Sequence, residues 1–120
     1  MIKVLAGGRF NRIHPGHEYF LEKAKGFGDY LVVVIAHDAH NAHGKTLMQQ
    51  RKENVENLGI ADKVIIGHPD SFAEVISEEK PDVIALGYDQ KLPENVAAID
   101  RIKLVRIGKF GNYSASALSI

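Results

Sequence analysis

Cysteine is absent from this chain. Its absence excludes a disulfide framework, a thiolate zinc site and a cysteine nucleophile. A surplus of charge is missing too: 15 basic and 15 acidic side chains cancel when the six histidines are neutral. A chain without net charge has no general attraction for nucleic acid or an anionic membrane, so neither is expected as a partner. Any anionic ligand must be held by a local pocket. Long apolar runs are also lacking. The opening Met1-Ile2-Lys3-Val4-Leu5-Ala6 is too short for a signal peptide, and no stretch approaches membrane-spanning length. A cytoplasmic location is therefore expected. There is no internal repeat, low-complexity tract or linker, and 120 residues suit one domain spanning 1–120.

What is present is the pattern of a globular α/β protein. A 45% hydrophobic fraction supports a folded core rather than disorder. Five short runs rich in β-branched residues stand out, at 2–5, 31–36, 63–66, 83–86 and 103–107. Each is mostly continuous rather than alternating, as in strands buried on both faces of a parallel sheet. Helical patterns lie between them. Phe20, Leu21, Ala24 and Phe27 form one apolar face, with Gly26 and Gly28 near its end. Thr46 with Gln49 reads as a capping box ahead of Met48, Val55 and Leu58, and Gly59 reads as the stop. Ser71 with Glu74 reads as a second capping box. Pro93 suits the first turn of a short fourth helix, and Ser114 the start of a last one. Alternating strands and helices predict an open five-stranded parallel sheet with helices on both faces.

Ligands of such sheets bind beyond the carboxyl ends of the strands. Those ends fall at 7–17, 37–45, 67–70, 87–90 and 108–116, where most of the histidines and glycines gather. The sharpest segment is Gly7-Gly8-Arg9-Phe10-Asn11-Arg12-Ile13-His14-Pro15-Gly16-His17. Gly8 permits close backbone approach, and Gly16 lets a phosphate sit near a helix start. His14 and His17, three residues apart, share one face of the first turn. Free amides and the positive end of the helix dipole attract anions there. Two imidazoles beside them would donate hydrogen bonds to phosphate oxygens. The spacing is also open to a plain structural reading, in which His14 caps the helix and His17 packs in the core. The segment is neither a P-loop, lacking Gly-Lys-Ser/Thr, nor a dinucleotide fingerprint, lacking Gly-x-Gly-x-x-Gly.

Gly8-Arg9-Phe10-Asn11 with His14-Pro15-Gly16-His17 resembles the Gly-Thr-Phe-Asp and His-x-Gly-His signature of cytidylyltransferase-like nucleotidylyltransferases. Lys109-Phe110-Gly111-Asn112-Tyr113-Ser114-Ala115-Ser116 is a degenerate copy of that family's Arg-Thr-x-Gly-Ile-Ser-Thr-Thr motif. The resemblance runs over essentially the whole chain and implies a Rossmann-like fold. It also implies transfer of a nucleotidyl group from a nucleoside triphosphate to a phosphate-bearing acceptor, with release of pyrophosphate. Three stretches, 14–22, 32–38 and 85–91, are most similar to the archaeal FAD synthases. ATP as donor and FMN as acceptor are what that similarity implies, with Mg²⁺ or another divalent cation accompanying ATP, and a homodimer. Glycerol-3-phosphate cytidylyltransferase, which uses CTP, has the same core and stays open as an alternative. Asn11 replaces the family's aspartate, Arg9 its threonine, Lys109 its arginine and Ala115 a threonine. His37 stands where the archaeal sequences carry arginine.

By the resemblance, His14, His17 and Lys45 are the catalytic candidates. Gly8, Arg9, Phe10, Asn11, Gly16, Asp89, Lys109, Tyr113, Ser114 and Ser116 join the two histidines in binding nucleotide. His37 and Arg51 bind the acceptor. The plain alternatives are a solvated Lys45, a surface Arg51 paired with a glutamate, Asp89 as a turn residue, and Ser114 and Ser116 as caps. His37, His40 and His43 recur at every third position and on a helix could bind zinc or nickel, but the segment reads as loop and lacks a fourth ligand. No protein-held metal is expected. Two rival classes remain: a nucleotide-binding sensor without turnover, favoured by Asn11 and the degenerate end motif, and a histidine-rich metal carrier.

Overall fold

The computed structural model describes residues 1–11, 13–38, 47–68, 72–87, 90 and 102–108. Five strands make one sheet: β1 (Lys3–Gly8), β2 (Tyr30–Ile35), β3 (Lys63–Ile66), β4 (Val83–Gly87) and β5 (Lys103–Ile107). Their order is β3-β2-β1-β4-β5, and every neighbouring pair is parallel. Three helices are described: α1 (Pro15–Lys25), α2 (Met48–Asn57) and α3 (Phe72–Glu79).

Strand periodicity divides the core. Val4 and Ala6 of β1 and Leu31, Val33 and Ile35 of β2 face one way, against Phe20, Leu21 and Ala24 of α1 and Val55 of α2. The intervening Leu5, Val32 and Val34 face the other way, with Ile84, against Val75 and Ile76 of α3. Side chains alternate across a strand, so a continuous apolar run must be covered on both sides. This is the expected doubly wound α/β architecture. Its strand order reverses between β1 and β4, and that switch point is where such sheets open a ligand crevice.

Several local expectations are corrected. β1 runs on to Gly8 instead of ending at Leu5, because Gly7 and Gly8 pair with Val34 and Ile35 of β2. Gly8 is thus a strand end, not a free loop residue. A Cβ on it would lie 2.9 Å from the Phe10 ring, which folds back over it. α1 ends at Lys25, so Phe27 lies past the helix and is exposed rather than part of its apolar face. The cap of α2 is Leu47, which makes no side-chain hydrogen bond, so the Thr46 capping box does not start this helix. Instead the Asp38 carboxylate, ten residues upstream, accepts the Met48 N–H at 3.0 Å. Gly59 does stop α2: it has φ +71°, a conformation that glycine reaches without steric cost. Ser71, the helix expected from Pro93 and the one expected from Ser114 lie outside the described residues.

Candidate functional site

The segment between β1 and α1 folds into a compact, partly buried knot. Phe10 has φ +52°, sparsely populated for a bulky side chain, and its buried ring lies 5.2 Å from the His17 ring. The rings of His14 and His17 stack with centroids 3.9 Å apart and planes 25° off parallel. His14 is the N-cap of α1, and its Nδ1 accepts the Gly16 N–H at 3.1 Å. His17 is 5% exposed, and its Nδ1 accepts the His14 N–H at 3.3 Å. Pro15, at the first helical position, needs no hydrogen-bond acceptor.

These bonds decide the tautomers. A neutral imidazole has one acceptor nitrogen and one N–H donor. Each Nδ1 accepts a backbone N–H, so each ring carries its proton on Nε2. Burial also pushes the His14 pKa below its usual 6.5, which favours the neutral ring. The structural reading and the chemical one therefore coexist. His14 does cap the helix and His17 does pack inward, and by doing so each ring becomes an Nε2–H donor. With the exposed Arg9 and the positive end of α1, the pair suits an anionic group.

Arg51 departs from the plain expectation of a surface side chain paired with glutamate. It is 0% exposed. Its Nη1 donates to the Arg9 carbonyl at 2.7 Å and its Nη2 to Asp38 Oδ1 at 2.8 Å. That same oxygen accepts the Met48 N–H. The guanidinium thereby ties the Arg9 loop to the chain following β2 and to the start of α2. His37 is half-buried just past β2, where the Ala36 N–H donates to the Gly8 carbonyl at 2.9 Å.

Across the switch point, the β1–β4 ladder stops at Ala6 and Ala85. Beyond it, Gln90 reaches between the strands. Its Nε2 donates to the Gly7 carbonyl at 2.9 Å and its Oε1 accepts the Gly87 N–H at 2.7 Å. Arg106 of β5 donates through Nη1 to the Gly87 and Gln90 carbonyls, both at 2.7 Å.

The structure thus gathers Gly8, Arg9, Phe10, Asn11, His14, Gly16 and His17 at one edge, with His37 and Arg51 beside them. Lys45, Asp89, Lys109, Tyr113, Ser114 and Ser116 lie outside the described residues, as do His40 and His43 of the histidine triplet. Sequence reasoning did not single out Asp38, Gln90 or Arg106 as site residues. No local spacing marks them, because each has a partner in another element: Asp38 in α2, Gln90 in β1 and Arg106 in β4. Among the described residues, no three histidine or acidic side chains lie together so as to hold a metal ion. No described helix is long and apolar enough to cross a membrane.

Comparison with known proteins fits this geometry. A family model described as cytidylyltransferase-like matches residues 5–107. The FAD synthase of Picrophilus torridus is 37% identical over 131 residues, covering 99% of this chain and 93% of that protein. The FAD synthase of Ferroglobus placidus is 48% identical over 97 residues, covering 78% of this chain and 64% of that protein. Among solved structures, one described as a lipopolysaccharide core biosynthesis protein from Thermoplasma volcanium superposes with a TM-score of 0.84. It is 36% identical and covers 92% of this chain and 99% of that one. A universal stress protein in complex with cAMP, 16% identical with a TM-score of 0.56, shares the fold alone.

Proposed function

The chain belongs to the cytidylyltransferase-like family, and from that premise we propose that it transfers AMP from ATP to the phosphate of FMN, giving FAD and pyrophosphate. The observation that carries the chemistry is the histidine pair, whose Nδ1 atoms are occupied by backbone N–H groups and whose Nε2–H groups are donors. The choice of ATP and FMN is supported by the FAD synthases that this chain resembles over nearly its full length.

In this reading a phosphate oxygen of FMN attacks the α-phosphorus of ATP in line. The new P–O bond forms as the bond to the β-phosphate bridging oxygen breaks, and that oxygen leaves with pyrophosphate. The nucleophile is already an anion, so no strong general base is needed and no covalent enzyme intermediate forms. Catalysis is then positioning and charge stabilisation. His14 and His17 donate to the α-phosphate oxygens as charge grows on them, in the manner of an oxyanion hole. Arg9 adds positive charge at the mouth. The buried Arg51 acts by holding the Arg9 loop and the start of α2 in place, which supports the acceptor side through position. Lys45 and Lys109 neutralise phosphates, while Asp89, Tyr113, Ser114 and Ser116 bind nucleotide and His37 the acceptor. Magnesium enters as part of the MgATP substrate. A homodimer in the cytoplasm completes the proposal, and light scattering on the purified protein reads the dimer.

The test is product analysis after mixing the protein with MgATP, MgCTP, FMN and glycerol 3-phosphate. FAD with pyrophosphate is expected. CDP-glycerol would keep the transfer chemistry and replace both substrates. Bound nucleotide with no product from these acceptors would favour the sensor.

A further inference from the structure

We propose that Gln90, held by Arg106, is a positioning residue that sets the width of the crevice between β1 and β4 and thereby aligns the phosphate-binding loop with the rest of the nucleotide site. The inference rests on the nucleotidyl-transfer reading above. A primary amide offers one acceptor and two donors, like a peptide group. Gln90 uses it as one: its oxygen takes the Gly87 N–H and its nitrogen gives to the Gly7 carbonyl. The side chain therefore stands in for a strand residue where the ladder has ended at Ala6 and Ala85. Strands that part at a switch point would otherwise leave these two backbone groups without a bond across the gap.

The position matters because Gly7 immediately precedes the Gly8-Arg9-Phe10-Asn11 turn that leads to His14. Holds on this turn from the other side include the Ala36 N–H, just past β2, to the Gly8 carbonyl and Arg51 of α2 to the Arg9 carbonyl. Gln90 supplies the hold from the β4 side. It is itself fixed: its own N–H donates to the Gly87 carbonyl at 3.2 Å, and Arg106 clamps the Gly87 and Gln90 carbonyls together. A nucleotide with its phosphates at α1 and its nucleoside across the switch point spans the gap that this amide sets. A change of one bond at Gln90 shifts the two halves of that site relative to each other without unpacking either core layer.

Gln90→Glu tests the bridge with nearly the same shape. A carboxylate still accepts the Gly87 N–H but faces the Gly7 carbonyl with a second oxygen. The measurement is the Kd of the ATP analogue AMPPNP with magnesium, by calorimetry, with thermal unfolding of each variant alongside. We expect Gln90→Glu to remain folded and to bind the analogue about tenfold more weakly near neutral pH. Below roughly pH 5 the new carboxyl becomes protonated and can donate to the Gly7 carbonyl, so the deficit relative to wild type shrinks. Arg106→Met should weaken binding in the same direction by about threefold, and it decides the matter if Gln90→Glu does not fold. Folded variants that bind like wild type, or a deficit that ignores pH, would overturn the proposal. A wild type that binds no analogue removes the functional reading and this inference with it. A wild type that binds and transfers AMP, beside unaffected variants, removes this inference alone.

Discussion

Replacing Arg51 by methionine isolates the role of a buried charge at this site. Methionine preserves most of the side-chain volume, so little cavity arises, but the guanidinium and its bonds to the Arg9 carbonyl and Asp38 disappear. Hydrogen bonds to charged groups contribute about 1.5–3 kcal/mol each, and breaking a buried ion pair costs about 3–5 kcal/mol. The lower part of that range applies here, because the Asp38 side chain is 39% exposed and can be solvated once its partner is gone. Asp38 also keeps the Met48 N–H. A loss of about 3 kcal/mol is therefore expected, read as a lower urea midpoint at unchanged slope. Asp38→Asn should cost at least as much, since an amide oxygen can still accept from both Arg51 and Met48 but leaves the fully buried guanidinium without its counter-charge. Arg51→Lys should fall near the methionine variant, because one ammonium cannot reproduce the guanidinium fork. If Arg51→Met changes stability by less than about 0.5 kcal/mol, the clamp does not hold the loop and its assigned role fails.

Four further outcomes follow from the loop itself. His14→Asn keeps an oxygen able to cap α1 but removes the Nε2–H donor, so turnover should fall about 100-fold with stability nearly unchanged; wild-type turnover would remove the proposed mechanism. His17→Ala should cost turnover at least as much, measured as pyrophosphate release. Acid should weaken the His14 cap: with its pKa lowered by burial, the unfolded chain takes up the proton first, and an imidazolium Nδ1 cannot accept from Gly16. That contribution is complete above pH 6.5 and is lost as pH falls from there through the folded-state pKa; equal slopes of Tm against pH in wild type and His14→Asn would contradict it. Gly8→Ala places a methyl 2.9 Å from the Phe10 ring. It should cost about 1–3 kcal/mol in urea unfolding and lower turnover by displacing the ring that backs His17.

What could be read from the sequence was local. β3 and β5 match the sequence runs at both ends, and β3 does so on three consecutive β-branched residues, Val64, Ile65 and Ile66. The His14–His17 pair was legible for the same reason: three residues along a helix start is a short-range geometry. Glycine disfavours strands, so nothing in the local sequence carries β1 on through Gly7 and Gly8; pairing with β2 does. The start of α2 is not legible locally, because the carboxylate that meets its first N–H, Asp38, arrives from another segment. Burial of Arg51 depends on an acceptor 42 residues away and another 13 residues away. The Gln90 bridge requires knowing that β4 lies beside β1, and strand order is not written in any local pattern.

Three aspartates at the opposite edge explain how the sheet tolerates a split at its carboxyl end. Asp29, Asp62 and Asp82 each stand just before a strand. Each carboxylate accepts an N–H from a neighbouring chain segment: Ile2 at 2.7 Å, Leu31 at 2.8 Å and Lys3 at 2.9 Å, respectively. Each aspartate N–H in turn donates to the carbonyl of that same residue. These reciprocal pairs tie β1 to β2, β2 to β3 and β1 to β4 at their amino ends, so register does not depend on the carboxyl ends. β1 and β4 can then part after Ala6 and Ala85 without a slip propagating down the ladder. At the carboxyl edge the side chains of His14, Arg51 and Gln90 meet backbone groups of Gly16, Arg9, Gly7 and Gly87 instead. Side-chain bonds can change there without unzipping the sheet, so that edge can hold a ligand while the aspartate edge holds the register.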